Sequence, residues 1–221
     1  MAKTIVIGDV HGLETWKSFV RWTYRSKVVF LGDYCDPYQS VDDNKVVDNL
    51  LKIIAYKRRH PSRVVLLLGN HDMHYLVPEL MTCSRYNAYI SQTLHAIFME
   101  NRSLFQYAYQ DGNRIFTHAG ISRGWWEECF HGDTSQNIAE QLNCIDDTKL
   151  PILAQCGWAR RGTSPYGGIF WADSSEMEDP LPGFHQIVGH TRHSHVEHLV
   201  IDDNTKVTFC DCLHNGMVYK V

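Results

Sequence analysis

Five short apolar runs, at 4–7, 28–31, 64–68, 115–117 and 186–188, are rich in Val, Ile and Leu and lack polar alternation. A strand with one wet face alternates, so such runs suit strands covered on both faces by other layers of structure. Helical patterns separate the first three runs: Leu13, Trp16, Phe19 and Val20 share one face, and Val46, Val47, Leu50, Leu51 and Ile54 share another. Asp42 and Asp43 open the second helix, while Lys57-Arg58-Arg59 and then Pro61 close it. Strand, helix, strand, helix, strand predicts a right-handed βαβαβ arrangement over residues 4–68. A further helix is expected over 84–100, and two hairpins join 106–110 to 114–118 and 196–201 to 207–210. Residues 123–183 show no regular pattern.

Each run stops at a potential ligand. The sequences are GDVHG with Asp9 and His11, GDYCD with Asp33 and Asp36, GNHD with Asn70, His71 and Asp72, THAG with His118, and VGHT with His190. Taken singly, an Asp after a strand is usually a turn former and a lone His is usually a hydrogen-bonded core residue. Five consecutive strand ends of this kind are a different matter, because the carboxyl ends of strands in an open α/β sheet form its ligand crevice. Carboxylate, imidazole and amide oxygen without thiolate suit hard to borderline divalent ions such as Mn, Fe, Zn or Mg.

Composition narrows the remaining classes. The chain has 221 residues, 44% hydrophobic and 21% charged, which suits a single globular domain over 1–221. A formal charge of −4 offers no basic field, so nucleic acid is not expected as a stable partner. The opening MAKTIVIGD is too short for a signal sequence and no membrane span follows, so no membrane partner is expected. Seven cysteines, an odd number without framework spacing, point to a reducing cytoplasm, and Cys210 and Cys212 read as alternate strand positions. The unusual number is 13 histidines, which is why their placement at strand ends carries weight.

In this order, GDVHG, GDYCD, GNHD, THAG and VGHT resemble the motif series of calcineurin-like metallophosphoesterases, most closely the serine/threonine phosphoprotein phosphatase branch with its bacterial and phage members. The resemblance spans residues 8–191 and is loose over 123–183. It implies an α/β fold, a four-layer α/β/β/α sandwich with two central mixed β-sheets. It also implies two divalent metal ions, Mn ahead of Fe, Zn or Mg. Asp9 and His11 would bind the first ion, Asp33 would bridge both, and Asn70, His118 and His190 would complete the second. His71 would protonate the leaving oxygen, with Asp36 holding its imidazole, and a metal-bridging hydroxide would attack without a covalent phosphoenzyme. The implied activity is hydrolysis of a phosphomonoester on a phosphoprotein, a nucleotide or a small phosphate ester. A dinucleoside polyphosphate hydrolase is the alternative within the enzyme class, and a non-catalytic metal-binding interaction domain is the alternative outside it.

Two departures stand out. The phosphoprotein phosphatase branch continues its second motif as Asp-Arg-Gly, with the arginine gripping substrate phosphate, whereas here Pro37 and Tyr38 follow Asp36. The third motif ends in Asp72, where that branch usually has Glu. Arg is the natural bidentate phosphate partner, so a replacement is expected from elsewhere. Arg160 and Arg161 in GWARRG and Arg123 after HAGIS are the candidates, solvated surface charge being the plain alternative, and Arg85 ranks behind them. His193, His195 and His198 read as peripheral, because Arg192 stands where related enzymes place a second histidine ligand. His74 is expected to line the cleft, and Trp125, Trp126, Trp158 and Trp171 to serve packing.

Overall fold

A computed structural model describes residues 3–21 and 25–221; Met1 and Ala2, part of the MAK lead-in read above, lie outside the described residues. The chain divides into two compact units, Met1–Gln106 with Cys212–Val221, and Tyr107–Asp211.

The first unit is built on β1 (Thr4–Ile7), β2 (Lys27–Phe30), β3 (Val64–Leu67), β4 (Phe105–Gln106) and β10 (Tyr219–Lys220). They form a five-stranded sheet in the order β10-β1-β2-β3-β4. β1 to β4 are parallel, and β10 runs antiparallel to β1. Every residue of β1 and β3 is buried, as the unbroken apolar runs require. Helices α1 (Trp16–Val20), α2 (Asp43–Arg59), α3 (Asn70–Leu76) and α4 (Ser91–Glu100) connect them.

α2 starts and stops where its end signals put it. The Asp42 side chain caps the Asn44 N–H, and the basic triplet occupies the last turn. Its buried stripe is Val46, Asn49, Leu50, Ile53 and Ile54, so Leu51, expected on the core face, is instead 44% exposed. The helical period turns Leu51 away from the sheet once Val46 and Leu50 face it. Asn49 is tolerated inside because it accepts from Trp16 Nε1 at 3.0 Å and donates to the Leu13 carbonyl at 3.1 Å.

One expectation changes here. The helix read from 84 starts only at Ser91, because side-chain bonds hold the preceding residues in turns: Asn87 Oδ1 accepts the Tyr89 N–H at 3.0 Å, and Asn87 Nδ2 donates to Asp43 at 2.8 Å. Arg85 in that stretch has φ +62°, which a helix cannot contain. A helix not expected from the sequence, α3, begins within the GNHD motif itself.

The second unit carries β5 (Ala108–Asp111), β6 (Arg114–Thr117), β7 (His185–Arg192), β8 (Glu197–Val200) and β9 (Lys206–Asp211), in the order β5-β6-β7-β9-β8. The two expected hairpins are present as antiparallel β5/β6 and β8/β9, while β6, β7 and β9 are mutually parallel neighbours. β7 outruns its apolar stretch and slips register between Val188 and Arg192, so His190 lies within the strand and not after it. Short helices α5 (Ile138–Asn143) and α6 (Leu150–Leu153) and a π-helical turn, Trp125–Phe130, occupy the segment without sequence periodicity. Ala119, Ala172, Met177, Val188, Val207 and Phe209 form a buried cluster beside this sheet. The fold is therefore α/β with two mixed sheets.

Asp211, at the end of β9, is almost fully buried, and burial pushes its carboxyl up to about 7 against the opposing pull of Arg192. The folded state thus holds a proton that the unfolded chain releases near its ordinary value of 3.8. Its contribution to stability is full below about pH 4, declines as pH rises and is gone above about 7. Chemical denaturation of Asp211→Asn should lack this fall, so the wild type should lose stability relative to the variant as pH rises across that window; a constant difference would remove the role of Asp211.

Candidate metal centre

In the first unit the loops after β1 and β2 are zipped together by their backbones. The His11 N–H donates to the Asp33 carbonyl at 2.7 Å, and the Gly12 N–H to the Tyr34 carbonyl at 3.0 Å. His11, Asp33 and Asp36 adopt positive φ of 42°, 52° and 58°. Such left-handed residues cost of order 1–3 kcal/mol each and persist only when their surroundings over-determine them. Gly32, at φ +109°, is needed for a second reason: a Cβ there would lie 2.8 Å from the Gly69 Cα, so the loops after β2 and β3 meet glycine on glycine.

Asp72 supplies much of the remaining constraint. Its carboxylate accepts the backbone N–H of Gly69, Asp33 and Tyr34, each at 2.8 Å. One completely buried side chain therefore locks the start of α3 to the β2 loop. Burial raises this carboxyl, and the three amide donors oppose the rise. In the sequence Asp72 stands both in a ligand-type strand end and as a departure from a motif; its place three residues after Gly69, where a capping box has its acid, signals the role it has here.

Asp9, His11 and Asp33 are buried and offer donor atoms that all lie within 4.8 Å of one another. His11 Nδ1 faces the carbonyls of Cys35 and Asp36 at 3.0 Å each, so Nδ1 carries the proton and Nε2 presents a lone pair. Burial lowers the His11 pKa to about 3, with the His71 charge adding to it, and the ring is neutral at physiological pH. Asp33 Oδ1 accepts the His71 N–H at 2.9 Å, and its Oδ2 lies 3.6 Å from His11 Nε2. Two carboxylates and a neutral imidazole with its lone pair turned inward fit a divalent cation of the hard to borderline kind. Asn70 opens α3 beside them, its Nδ2 directed to Cys83 Sγ at 3.2 Å.

Asp36 does different work. It accepts from His71 Nδ1 at 2.8 Å and Tyr75 Oη at 2.5 Å, and His74 Nε2 lies 2.7 Å from its Oδ2. The His74 tautomer is fixed because its Nδ1 accepts the Cys83 N–H at 3.3 Å, which leaves the proton on Nε2. Burial alone would raise the Asp36 carboxyl, but these three donors outweigh it and hold the pKa below the ordinary value. With Nδ1 of His71 bound to Asp36, Nε2 is the nitrogen left for a substrate. Burial lowers the His71 pKa, and the Asp36 hydrogen bond pulls the other way. His74, expected to line the cleft, is fully buried behind Asp36; the three-residue spacing that puts His71 and His74 on one face of α3 was the missed signal. His71, His74 and Cys83 also have donor atoms within 4.8 Å, but His71 Nδ1, the two His74 nitrogens and the Cys83 sulfur already face Asp36, Asn70 and the backbone.

In the second unit, His118 and His190 come together, Nε2 of the first lying 3.1 Å from Nδ1 of the second. Two facing imidazole nitrogens need a proton or a cation between them. The Gly189 N–H donates to the His118 carbonyl at 2.7 Å, joining the two motifs, and His190 has φ +60°. Arg160 is tied to Asp173 at 2.7 Å and to Thr191 Oγ1 at 2.8 Å, next to His190 in sequence. Arg161 is exposed with φ +65°, and Arg123 is exposed and paired with Asp179 at 2.9 Å. His193 pairs with Glu197 at 2.7 Å, and His198 meets Thr208 at 2.9 Å. Trp125 and Trp126 are buried, the Trp171 ring lies 5.8 Å from that of His190, and Trp158 is 66% exposed.

Comparison with known proteins agrees with this geometry. The calcineurin-like phosphoesterase family model matches residues 2–204, and the chain belongs to that family, a class of phosphoester hydrolases. The serine/threonine-protein phosphatase 6 catalytic subunit of Drosophila melanogaster is 26% identical over 188 residues, covering 78% of this chain and 51% of that protein. The chain thus spans about half the length of that relative. Among solved structures, a cold-active protein-tyrosine phosphatase from a psychrophilic Shewanella species superposes with a TM-score of 0.61 at 17% identity, covering 100% of this chain and 80% of that one. A protein serine/threonine phosphatase from Saccharomyces cerevisiae gives 0.57 at 18% identity over 94% of this chain and 66% of that one. Both show the shared metallophosphoesterase sandwich fold.

Removing the Asp72 knot should damage two properties at once. Asp72→Ala leaves three buried N–H groups without their acceptor, at about 1–3 kcal/mol each, so urea midpoints should fall sharply. Calorimetric titration with Mn should also weaken, although Asp72 is not a ligand, because Asp33 loses the bond that orients it.

Proposed function

We propose that the chain hydrolyses a phosphomonoester with two divalent metal ions bound, Mn being the first to test. The observation that carries this reading is the division of labour between two buried carboxylates three residues apart: Asp33 turns Oδ2 toward His11 Nε2 at 3.6 Å, beside Asp9, while Asp36 is surrounded by His71, His74 and Tyr75. Asp9 and His11 are proposed for the first ion, Asp33 as the bridge, and Asn70, His118 and His190 for the second, as the family resemblance assigns them. Bound divalent ions lower the pKa of water from 15.7 to roughly 7 and offset charge on the phosphoryl oxygens.

The chain's own residues supply the rest. Asp36 holds Nδ1–H and the ring in place and favours the imidazolium form of His71, so that Nε2–H would give its proton to the departing oxygen and leave the neutral ring with its remaining proton on Nδ1. A general acid placed this way is worth about 10²–10⁴ in rate. The likeness to a serine/threonine-protein phosphatase supports a phosphorylated side chain as one substrate, with nucleotides, small esters and dinucleoside polyphosphates as the comparison set. Among the described residues no helix is long and apolar enough to cross a membrane, and the cysteine pattern supports a cytoplasmic setting.

Turnover of p-nitrophenyl phosphate, phosphopeptides and diadenosine tetraphosphate with added Mn tests the reading. Two bound ions without hydrolysis of any of them would favour a non-catalytic interaction domain. Asp33→Asn should lower the Mn content of purified protein and abolish turnover; unchanged metal content removes the bridging role. His71→Ala should keep its metal and slow turnover, with a smaller loss for p-nitrophenyl phosphate than for alkyl esters, whose leaving groups need the proton more. Equal loss for both ester types excludes the acid role.

A further inference from the structure

The second motif lacks the arginine that its relatives place after the aspartate, and the first unit holds another cation at the same opening. We propose that Arg85 is the phosphate-gripping residue of this site, held for that purpose on the ring of Tyr38, the residue that stands in the altered motif. The proposal rests on the phosphoesterase reading and adds the group that binds its substrate.

The placement of Arg85 is determined from both sides. Cys83, two residues before it, is bonded to Asn70 and His74, and Asn87, two residues after it, donates its N–H to Tyr75 Oη at 3.0 Å and its amide to Asp43 at 2.8 Å. Tyr75 in turn bonds Asp36, so the short segment between these anchors is fastened to the acid–base cluster. Arg85 itself has φ +62°, a backbone state that such anchoring can hold. Its guanidinium carbon sits 3.7 Å from the centre of the Tyr38 ring, and that ring meets the His11 ring edge-on at 4.7 Å.

From inside to outside the order is a buried ligand, a tyrosine 47% exposed, and an exposed cation. Among the described residues Arg85 has no carboxylate partner within ion-pair distance, unlike Arg160 and Arg123, whose charges are answered by Asp173 and Asp179. Arg85 and Asp36 line one cavity of about 480 Å³, with Pro37 and Asn87 in its wall. After burial and His71, the charge of Arg85 contributes to lowering His11, and it reaches His71 as well, which places it within electrostatic range of the reacting groups. Stacking restricts the guanidinium while leaving its N–H edge free, which suits two-point contact with phosphoryl oxygens. Pro37 and Tyr38 are then not only the loss of a clamp: Tyr38 is the platform for its replacement.

The test is calorimetric titration of the Mn-loaded protein with inorganic phosphate, alongside KM and kcat for p-nitrophenyl phosphate. Arg85→Ala should bind phosphate about 10–100-fold more weakly, since hydrogen bonds between charged groups are worth about 1.5–3 kcal/mol and each 1.4 kcal/mol is tenfold. KM should rise by a similar factor, with Mn affinity and thermal stability unchanged because the residue is exposed. Arg85→Lys should recover part of the binding, Tyr38→Ala should resemble Arg85→Ala, and Tyr38→Phe, which keeps the ring under the guanidinium, should retain more phosphate affinity than Tyr38→Ala. Wild-type phosphate affinity in Arg85→Ala and Arg85→Gln overturns the proposal, as does loss confined to kcat. If the wild-type protein binds phosphate yet hydrolyses no ester, the hydrolase reading fails while the phosphate titration still decides Arg85.

Discussion

Three backbone N–H groups converging on the Asp72 carboxylate are the constraint from which the first half of the site follows. Without them, the loop after β2 would have no fixed relation to the start of α3, and Asp33 and His71 would not share the hydrogen bond that joins them. The same lock explains how His11, Asp33 and Asp36 can all sit at positive φ. Each left-handed residue is unfavourable alone, and the inter-loop bonds leave no relaxed alternative. Asp and His tolerate this region better than branched or bulky residues, which adds a conformational reason for their presence to the chemical one.

The cluster around Asp36 uses a second form of over-determination. Asp36 is surrounded by three donors, so its charge stays in place despite burial, and it faces no metal-binding group with a free oxygen. Asp33, in the same motif, keeps one oxygen turned to His11. Environment separates the two carboxylates, as in other sites where neighbouring acids take different roles. Tyr75 extends the network outward through Asn87 to the exposed turn that carries Arg85, so that lip and the interior pair are parts of one bonded structure. Shifting any member of that chain would move the lip as well as the pair.

Much of this was legible in the chain itself. Runs of Val, Ile and Leu located β1, β2 and β3 to within a residue, because strands covered on both faces cannot alternate. Asp42 and the basic triplet marked both ends of α2. The short turns Asp111-Gly112-Asn113 and Asp202-Asp203-Asn204 marked the hairpins β5/β6 and β8/β9. Local signals failed where distant groups decided the outcome. The turn before Ser91 is held by Asp43 and Tyr75, and the two-residue β10 exists only by pairing with β1. The structural roles of His74 and Asp72 are not legible locally, because their partners, Asp36 and the amides of Asp33 and Tyr34, lie more than thirty residues away.

The amino-acid sequence by itself determined the donor types, their order along the chain and their positions at strand ends, because those depend on residue identity and on local periodicity. Only the tertiary structure decided which nitrogen of each histidine is free, which carboxylate is saturated, and which cation stands at the opening. Those are properties of contacts between loops far apart in the chain. GDYCDPY shows both: its two aspartates announce a site in seven letters, but that Tyr38 carries Arg85 depends on a turn anchored at Cys83 and Asn87, which nothing within the motif encodes.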